Sequence, residues 1–177
     1  MKRVNMIEIK QISPDKQNDA NIPNQPFKIW GKMIPSLHNG KWNYQIEEFL
    51  ETTEMCFPDC LYDINDGDGV FYGAYDGDKC IGVAVLRKGI FKYLYLDDLK
   101  IDVKYRRQGV GTMLIKTCLE RAKSENMKGI YTIGQDNNLS ACLFYIHQGF
   151  KIGGFDNKAY QGTSQEGKAD IVFYLDS

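Results

Sequence analysis

The chain has only two histidines, His38 and His147, and no apolar run approaching the length of a membrane span. A spanning helix needs about 20 predominantly apolar residues, so no membrane partner is expected. Charge of one sign is also missing. Twenty-two basic residues face 23 acidic ones for a formal net charge of −1, without the basic surplus that nucleic acid as a main partner calls for. The N-terminal MKRVNMIEIKQI opens on Lys2 and Arg3 but lacks an apolar core and a small-residue cleavage site, so no signal peptide is expected. The five cysteines are odd in number and scattered at 56, 60, 80, 118 and 142. Cys56-Phe57-Pro58-Asp59-Cys60 lacks the second ligand pair of a zinc site, while Cys80, Cys118 and Cys142 sit in apolar patterns as small core residues. Repeats, low-complexity tracts and domain boundaries are missing too. The expectation is a reduced, cytoplasmic, metal-free protein of one domain over residues 1–177.

What is present centres on residues 94–121, LYLDDLKIDVKYRRQGVGTMLIKTCLER. Tyr93, Tyr95, Asp97, Leu99 and Ile101 alternate with Leu94, Leu96, Asp98 and Lys100, the period of a strand. A turn, Arg106-Arg107-Gln108-Gly109-Val110-Gly111, leads into a helix with Val110, Leu114, Cys118 and Ala122 on one stripe. A helix N-terminus offers unpartnered amides and partial positive charge. Gly109 and Gly111 would let an anion approach closely, and Arg106 and Arg107 add charge. The layout suits a phosphate-bearing ligand. It is neither nucleotide motif nearest in style, because Leu114 stands where a Rossmann turn has its third glycine and Thr112-Met113 follows Gly111 where a Walker loop has Lys-Ser/Thr.

In chain order, residues 4–12 read as a strand and residues 13–40, with four prolines, as an irregular excursion. Residues 42–55 read as a helix with Tyr44, Ile46, Phe49, Leu50 and Met55 on its apolar side. An acidic loop follows, with Asp59, Asp63, Asp66 and Asp68 as either a rim for a polycation or an ordinary polar loop. Residues 70–75 and 80–87 are strands joined by Asp76-Gly77-Asp78-Lys79. After the central helix come a short strand at 129–133, a helix at 139–148 ended by Gly149, and strands at 150–155 and 170–175. The predicted order is β-α-β-β-β-α-β-α-β-β.

With that order, the chain resembles the GCN5-related N-acetyltransferase (GNAT) family over nearly its full length. RRQGVG looks like that family's acetyl-coenzyme A motif, and Asn138-x-x-Ala141-x-x-x-Tyr145-x-x-x-Gly149-Phe150 like its second signature. Within the family, KCIGVAVLRK, the doublet Asp97-Asp98, QDNNLSACLFY and GFKIGGFD resemble the streptothricin acetyltransferases, which acetylate the β-lysine amine of a cationic antibiotic. The resemblance implies a mixed central sheet of about seven strands flanked by helices, an α/β (α+β) fold. It also implies acetyl-CoA as co-substrate, antibiotic resistance as the outcome, and a small cationic amine as acceptor. Homodimer assembly is left open.

Carried over residue by residue, the backbone of Leu99, Lys100 and Ile101 would pair with the pantetheine arm as an added strand. Arg107, Gln108, Gly109, Val110, Gly111 and Thr112 would cradle the pyrophosphate with Arg106 nearby, and Asn138 would hydrogen-bond the pantetheine chain or cap the last helix. Tyr145 sits where the family has the phenol that protonates the departing thiolate; its plainer alternative is an aromatic core residue beside Phe144 and Phe150. Many relatives carry a glutamate at the place of Ile133, so that base is lost. The remaining candidate is Asp97, with Asp98 beside it to bind the amine. A regular strand sends neighbours to opposite faces, so both carboxylates meet one amine only if a bulge intervenes. Other acceptors, a polyamine or a protein N-terminus or lysine, and a non-catalytic acyl-CoA-binding module, stay open.

Overall fold

The computed structural model describes residues 6–65 and 67–177. Among the described residues, nine strands and two α-helices run in the order β1 (Glu8–Gln11), β2 (Phe27–His38), β3 (Lys41–Met55), β4 (Val70–Asp76), β5 (Lys79–Lys88), β6 (Tyr93–Ile101), α1 (Val110–Ser124), β7 (Gly129–Gln135), α2 (Leu139–His147), β8 (Lys151–Asp156) and β9 (Asp170–Asp176), with short 3-10 segments at Pro14–Asn21 and Val103–Tyr105. Seven strands form one sheet, in the order β1-β4-β5-β6-β7-β9-β8, and β2 and β3 pair separately. The expected seven-stranded sheet is present. Of the predicted first strand, residues 4 and 5 lie outside the described residues, as does Asp66.

The chain divides into two compact units, one of Met1–Gln25, Phe57–Ile130 and Ser177, the other of Pro26–Cys56 and Tyr131–Asp176. In the first, the strand alternation and helical stripe work as the sequence suggests. Val110, Leu114, Cys118 and Ala122 are all buried, and α1 packs on β4, β5 and β6. Each buried leucine of this kind contributes about 1.5–3 kcal/mol. The opposite side of β4 and β5 carries Phe71, Val83 and Val85 in a cluster with Ile12 and Ala20, against which Tyr62 and Ile64 pack.

Two expectations are overturned. Residues 42–55 are not a helix but the strand β3, and the excursion at 13–40 holds the 3-10 segment and β2. Asn39 and Gly40 take φ of 49° and 74°, two positive values that make the tight hairpin turn closed by His38 and Lys41. Trp42, Tyr44 and Ile46 alternate with Asn43, Gln45 and Glu47, so the strand period is there, and a hairpin turn with β-branched and aromatic residues outweighs the looser helical spacing. Pairing skips from Thr53 to Glu48 opposite Ile29 and Gly31, so residues 49–52 bulge out and Leu50 is fully exposed. Gly31 is a point of close approach between β2 and its neighbours. A Cβ there would lie 2.6 Å from the Glu47 carbonyl and 2.9 Å from Leu139 of α2.

Candidate active site

The first unit holds the acid doublet and the glycine turn. β5 and β6 pair antiparallel with Arg87 opposite Tyr95, Leu86 opposite Leu96, Val85 opposite Asp98 and Val83 opposite Lys100, leaving Asp97 as one extra residue in β6. That is a β-bulge, and it reverses the parity of the strand. Opposed residues share a face, so Tyr95 before the bulge and Asp98 and Lys100 after it lie on the side of Arg87, Val85 and Val83. Leu99 and Ile101 lie with Ala84 and Gly82, the side on which Leu114 of α1 sits 3.4 Å from where a Gly82 Cβ would be. The expected uninterrupted alternation, with Asp97 on the face of Leu99 and Ile101, is corrected accordingly. The bulge named above as the condition for the two carboxylates to work together is present.

Both carboxylates are engaged by cations. The Arg87 Nε donates to Asp97 Oδ2 at 2.7 Å, and its guanidinium also lies 3.8 Å from Asp68. The hydrogen bond to Asp97 holds the Arg87 guanidinium above its ordinary pKa. Asp98 Oδ2 accepts from the Tyr62 hydroxyl at 2.9 Å and pairs with Lys100 Nζ at 3.3 Å. The Lys100 side chain is only 8% exposed and also donates to the Ile22 carbonyl at 3.4 Å. The Arg87 and Lys100 cations stand 5.8 Å and 5.5 Å from the centroid of the Tyr62 ring. Nothing in the sequence flagged Tyr62; the one available signal was Arg87, a cation near the end of an apolar strand. The acidic loop is largely used internally. Asp59 accepts from the Asn24 amide at 2.7 Å, Asp63 from the Asn65 amide at 2.9 Å and Asp68 from the Lys88 amide at 3.1 Å.

Downstream, Arg106 folds back so that Nε donates to the Ile101 carbonyl at 3.1 Å, and Gln108 Nε2 donates to the Lys104 carbonyl at 2.7 Å. Arg107 takes φ 59°, a left-handed backbone uncommon outside glycine. Gly109 takes φ 83° as the N-cap of α1, with no side-chain cap and no acidic residue in the first turn. A Cβ on Gly109 would meet nothing within 4 Å, so backbone conformation rather than crowding requires glycine there. Amides at an uncapped helix start, two arginines before them and no competing carboxylate fit the diphosphate of a coenzyme A thioester.

The second unit carries the other signature. Asn138 caps α2, its side chain accepting from the Ala141 amide at 3.4 Å. Gly149, φ 93°, ends the helix and donates to the Ile146 carbonyl at 3.0 Å. Tyr145 is half-buried, with its ring 5.3–5.7 Å from those of Phe144, Phe150 and Phe173. Ile133 stands 41% exposed on β7. Cys118 and Cys142 are buried, which pushes each thiol up to about 12, whereas Cys56 and Cys60 are exposed. Among the described residues, no group of three or more His, Cys, Asp or Glu is arranged to hold a metal, and no helix is long and apolar enough to cross a membrane.

Known proteins share this fold. Residues 35–150, which run through both units, match the acetyltransferase (GNAT) family. Streptothricin acetyltransferase A of Bacillus subtilis (strain 168) is 33% identical over 160 residues, 88% of this chain and 92% of that one. A crystal structure described as a streptothricin acetyltransferase from Bacillus anthracis str. Ames, in complex with acetyl coenzyme A, has a TM-score of 0.88 at 31% identity, covering 97% of this chain and 100% of that one. Nourseothricin acetyltransferase has a TM-score of 0.79 at 19% identity, covering 96% and 98%, a likeness of fold. A mixed seven-stranded sheet with an uncapped helix start behind a basic turn is thus the frame of an acyltransferase drawing on a coenzyme A thioester. The chain belongs to the GNAT family of acetyltransferases. It is an N-acetyltransferase with acetyl-CoA as co-substrate.

Proposed function

We propose that this enzyme acetylates the β-lysine amine of a streptothricin-like antibiotic, conferring resistance, and works in the cytoplasm. The observation that carries the reading is the likeness over 88% of the chain to streptothricin acetyltransferase A. Free cysteines agree with a reducing compartment.

In this reading acetyl-CoA supplies the activated acetyl group, and the chain supplies position and proton traffic. The backbone of Leu99, Lys100 and Ile101 aligns the pantetheine arm, Asn138 hydrogen-bonds it, and the turn from Arg106 to Thr112 holds the diphosphate. The amine arrives as an ammonium with pKa about 10.4, which cannot attack. The Asp97-Asp98 doublet binds it and takes one proton, freeing the lone pair to form the C–N bond while the C–S bond breaks. Tyr145 gives its phenolic proton to the departing sulfur and regains one, through solvent, from the newly acetylated nitrogen. The proton held by the doublet then returns to solvent, which balances the exchange of ammonium and thioester for amide, thiol and one proton. No covalent enzyme intermediate and no nucleophilic cysteine is needed.

The test is thiol release from acetyl-CoA by the purified protein with streptothricin, with spermidine and with neither. Saturable release dependent on streptothricin is expected. Spermidine turning over far better would hand the site to polyamines, which the same doublet serves.

A further inference from the structure

The two carboxylates of the doublet are held by different means. Asp97 is tied to Arg87, which is itself shared with Asp68. The charged hydrogen bond from the guanidinium fixes the Asp97 carboxylate in place. Asp98 is held by a neutral phenol and by Lys100. Burial and the nearby negative charge of Asp98 raise the Tyr62 phenol above its ordinary pKa, so it stays a donor at neutral pH.

Tyr62 is in turn fixed from behind. Its amide donates to Asn21 Oδ1 at 2.7 Å, and its carbonyl accepts from Asn21 Nδ2 at 2.8 Å and from Gln17 Nε2. Gln17 also accepts from the Ile64 amide at 2.8 Å. The ring packs edge-on against Phe71 at 5.5 Å. A loop with no regular structure is thus pinned at one residue by two side chains of the 3-10 segment Pro14–Asn21, and the pinned residue points its hydroxyl at Asp98.

We infer that Tyr62 is a positioning residue for the acetyl transfer: it orients Asp98 as the carboxylate that takes the proton of the incoming ammonium, while Asp97, locked to Arg87, supplies fixed negative charge. This rests on the reading that the doublet receives a cationic amine. The N–H bond of the ammonium breaks and an O–H bond forms on Asp98. Tyr62 keeps its own proton throughout, so no further reactant is involved.

Tyr62→Phe tests it, since the ring contacts with Phe71 survive and only the hydroxyl is lost. The expected result is a kcat for the amine about tenfold lower, with KM for acetyl-CoA and thermal stability held. The decisive measurement is a double-mutant cycle. In an Asp98→Asn background the Tyr62→Phe loss should vanish; in an Asp97→Asn background it should persist in full. Unchanged kcat in Tyr62→Phe, or a tenfold loss that survives in Asp98→Asn, overturns the assignment. If the wild type prefers another amine to streptothricin, the substrate reading fails, and the cycle run with that amine still decides the role of Tyr62. A wild type that acetylates no amine overturns both.

Discussion

The strand-turn-helix of residues 93–124 and the hairpin of residues 27–55 are built from similar amounts of apolar sequence and behave in opposite ways. In the first, the apolar positions are buried as their spacing dictates: Leu94 and Leu96 on β6, then Val110, Leu114, Cys118 and Ala122 on α1. In the second, Ile34, Leu37, Tyr44, Ile46, Phe49 and Leu50 remain exposed. Hydrophobic periodicity reports burial on one face; beyond Met33 this ribbon has no buried residue before Met55, so there it has nothing to report.

The sharpest test of that contrast is at the chemistry. Tyr145→Phe should lower kcat by about 10²–10⁴-fold, the usual contribution of a positioned general acid, with acetyl-CoA affinity kept. An unchanged rate would leave Tyr145 as one ring among Phe144, Phe150 and Phe173. Next, Leu114→Ala, at a fully buried site, should destabilise by about 2–5 kcal/mol in denaturant melts. Gly109→Ala comes third. Its φ of 83° imposes about 1–2 kcal/mol on any residue with a Cβ, and KM for acetyl-CoA should rise with little change in kcat at saturation. Smallest is Leu50→Ser, expected within about 0.5 kcal/mol of wild type. A melt showing a larger loss would mean that this hairpin face is covered in solution, and the comparison would break there.

How much was legible follows the same divide. Both signatures, the helix they flank and the caps at Asn138 and Gly149 were readable, because turn chemistry and periodicity agree at those places. The hairpin was readable in principle from Asn39-Gly40, an Asn-Gly pair whose two positive φ values suit a two-residue turn, but the helical spacing of Tyr44, Ile46, Phe49 and Leu50 masked it. The bulge at Asp97 was not readable, since an extra residue shows only against the partner strand that opposes it. Tyr62 was not readable either. Its bond to Asp98 joins residues 36 positions apart, through a loop whose place is set by side chains 41 and 45 residues upstream.

The uncapped start of α1 also gives the helix a clock. The amides of Val110, Gly111 and Thr112 precede the first helical hydrogen bond, which runs from the Met113 amide to the Gly109 carbonyl. With no helical hydrogen bond to break, such amides trade their protons for deuterium faster than those of the helix interior. Diphosphate oxygens seated on them would slow that trade at these three residues and leave the far end of α1 alone. Deuterium uptake at the first turn then counts cofactor occupancy directly, before any acceptor amine is added and whether or not the acetyl group ever moves.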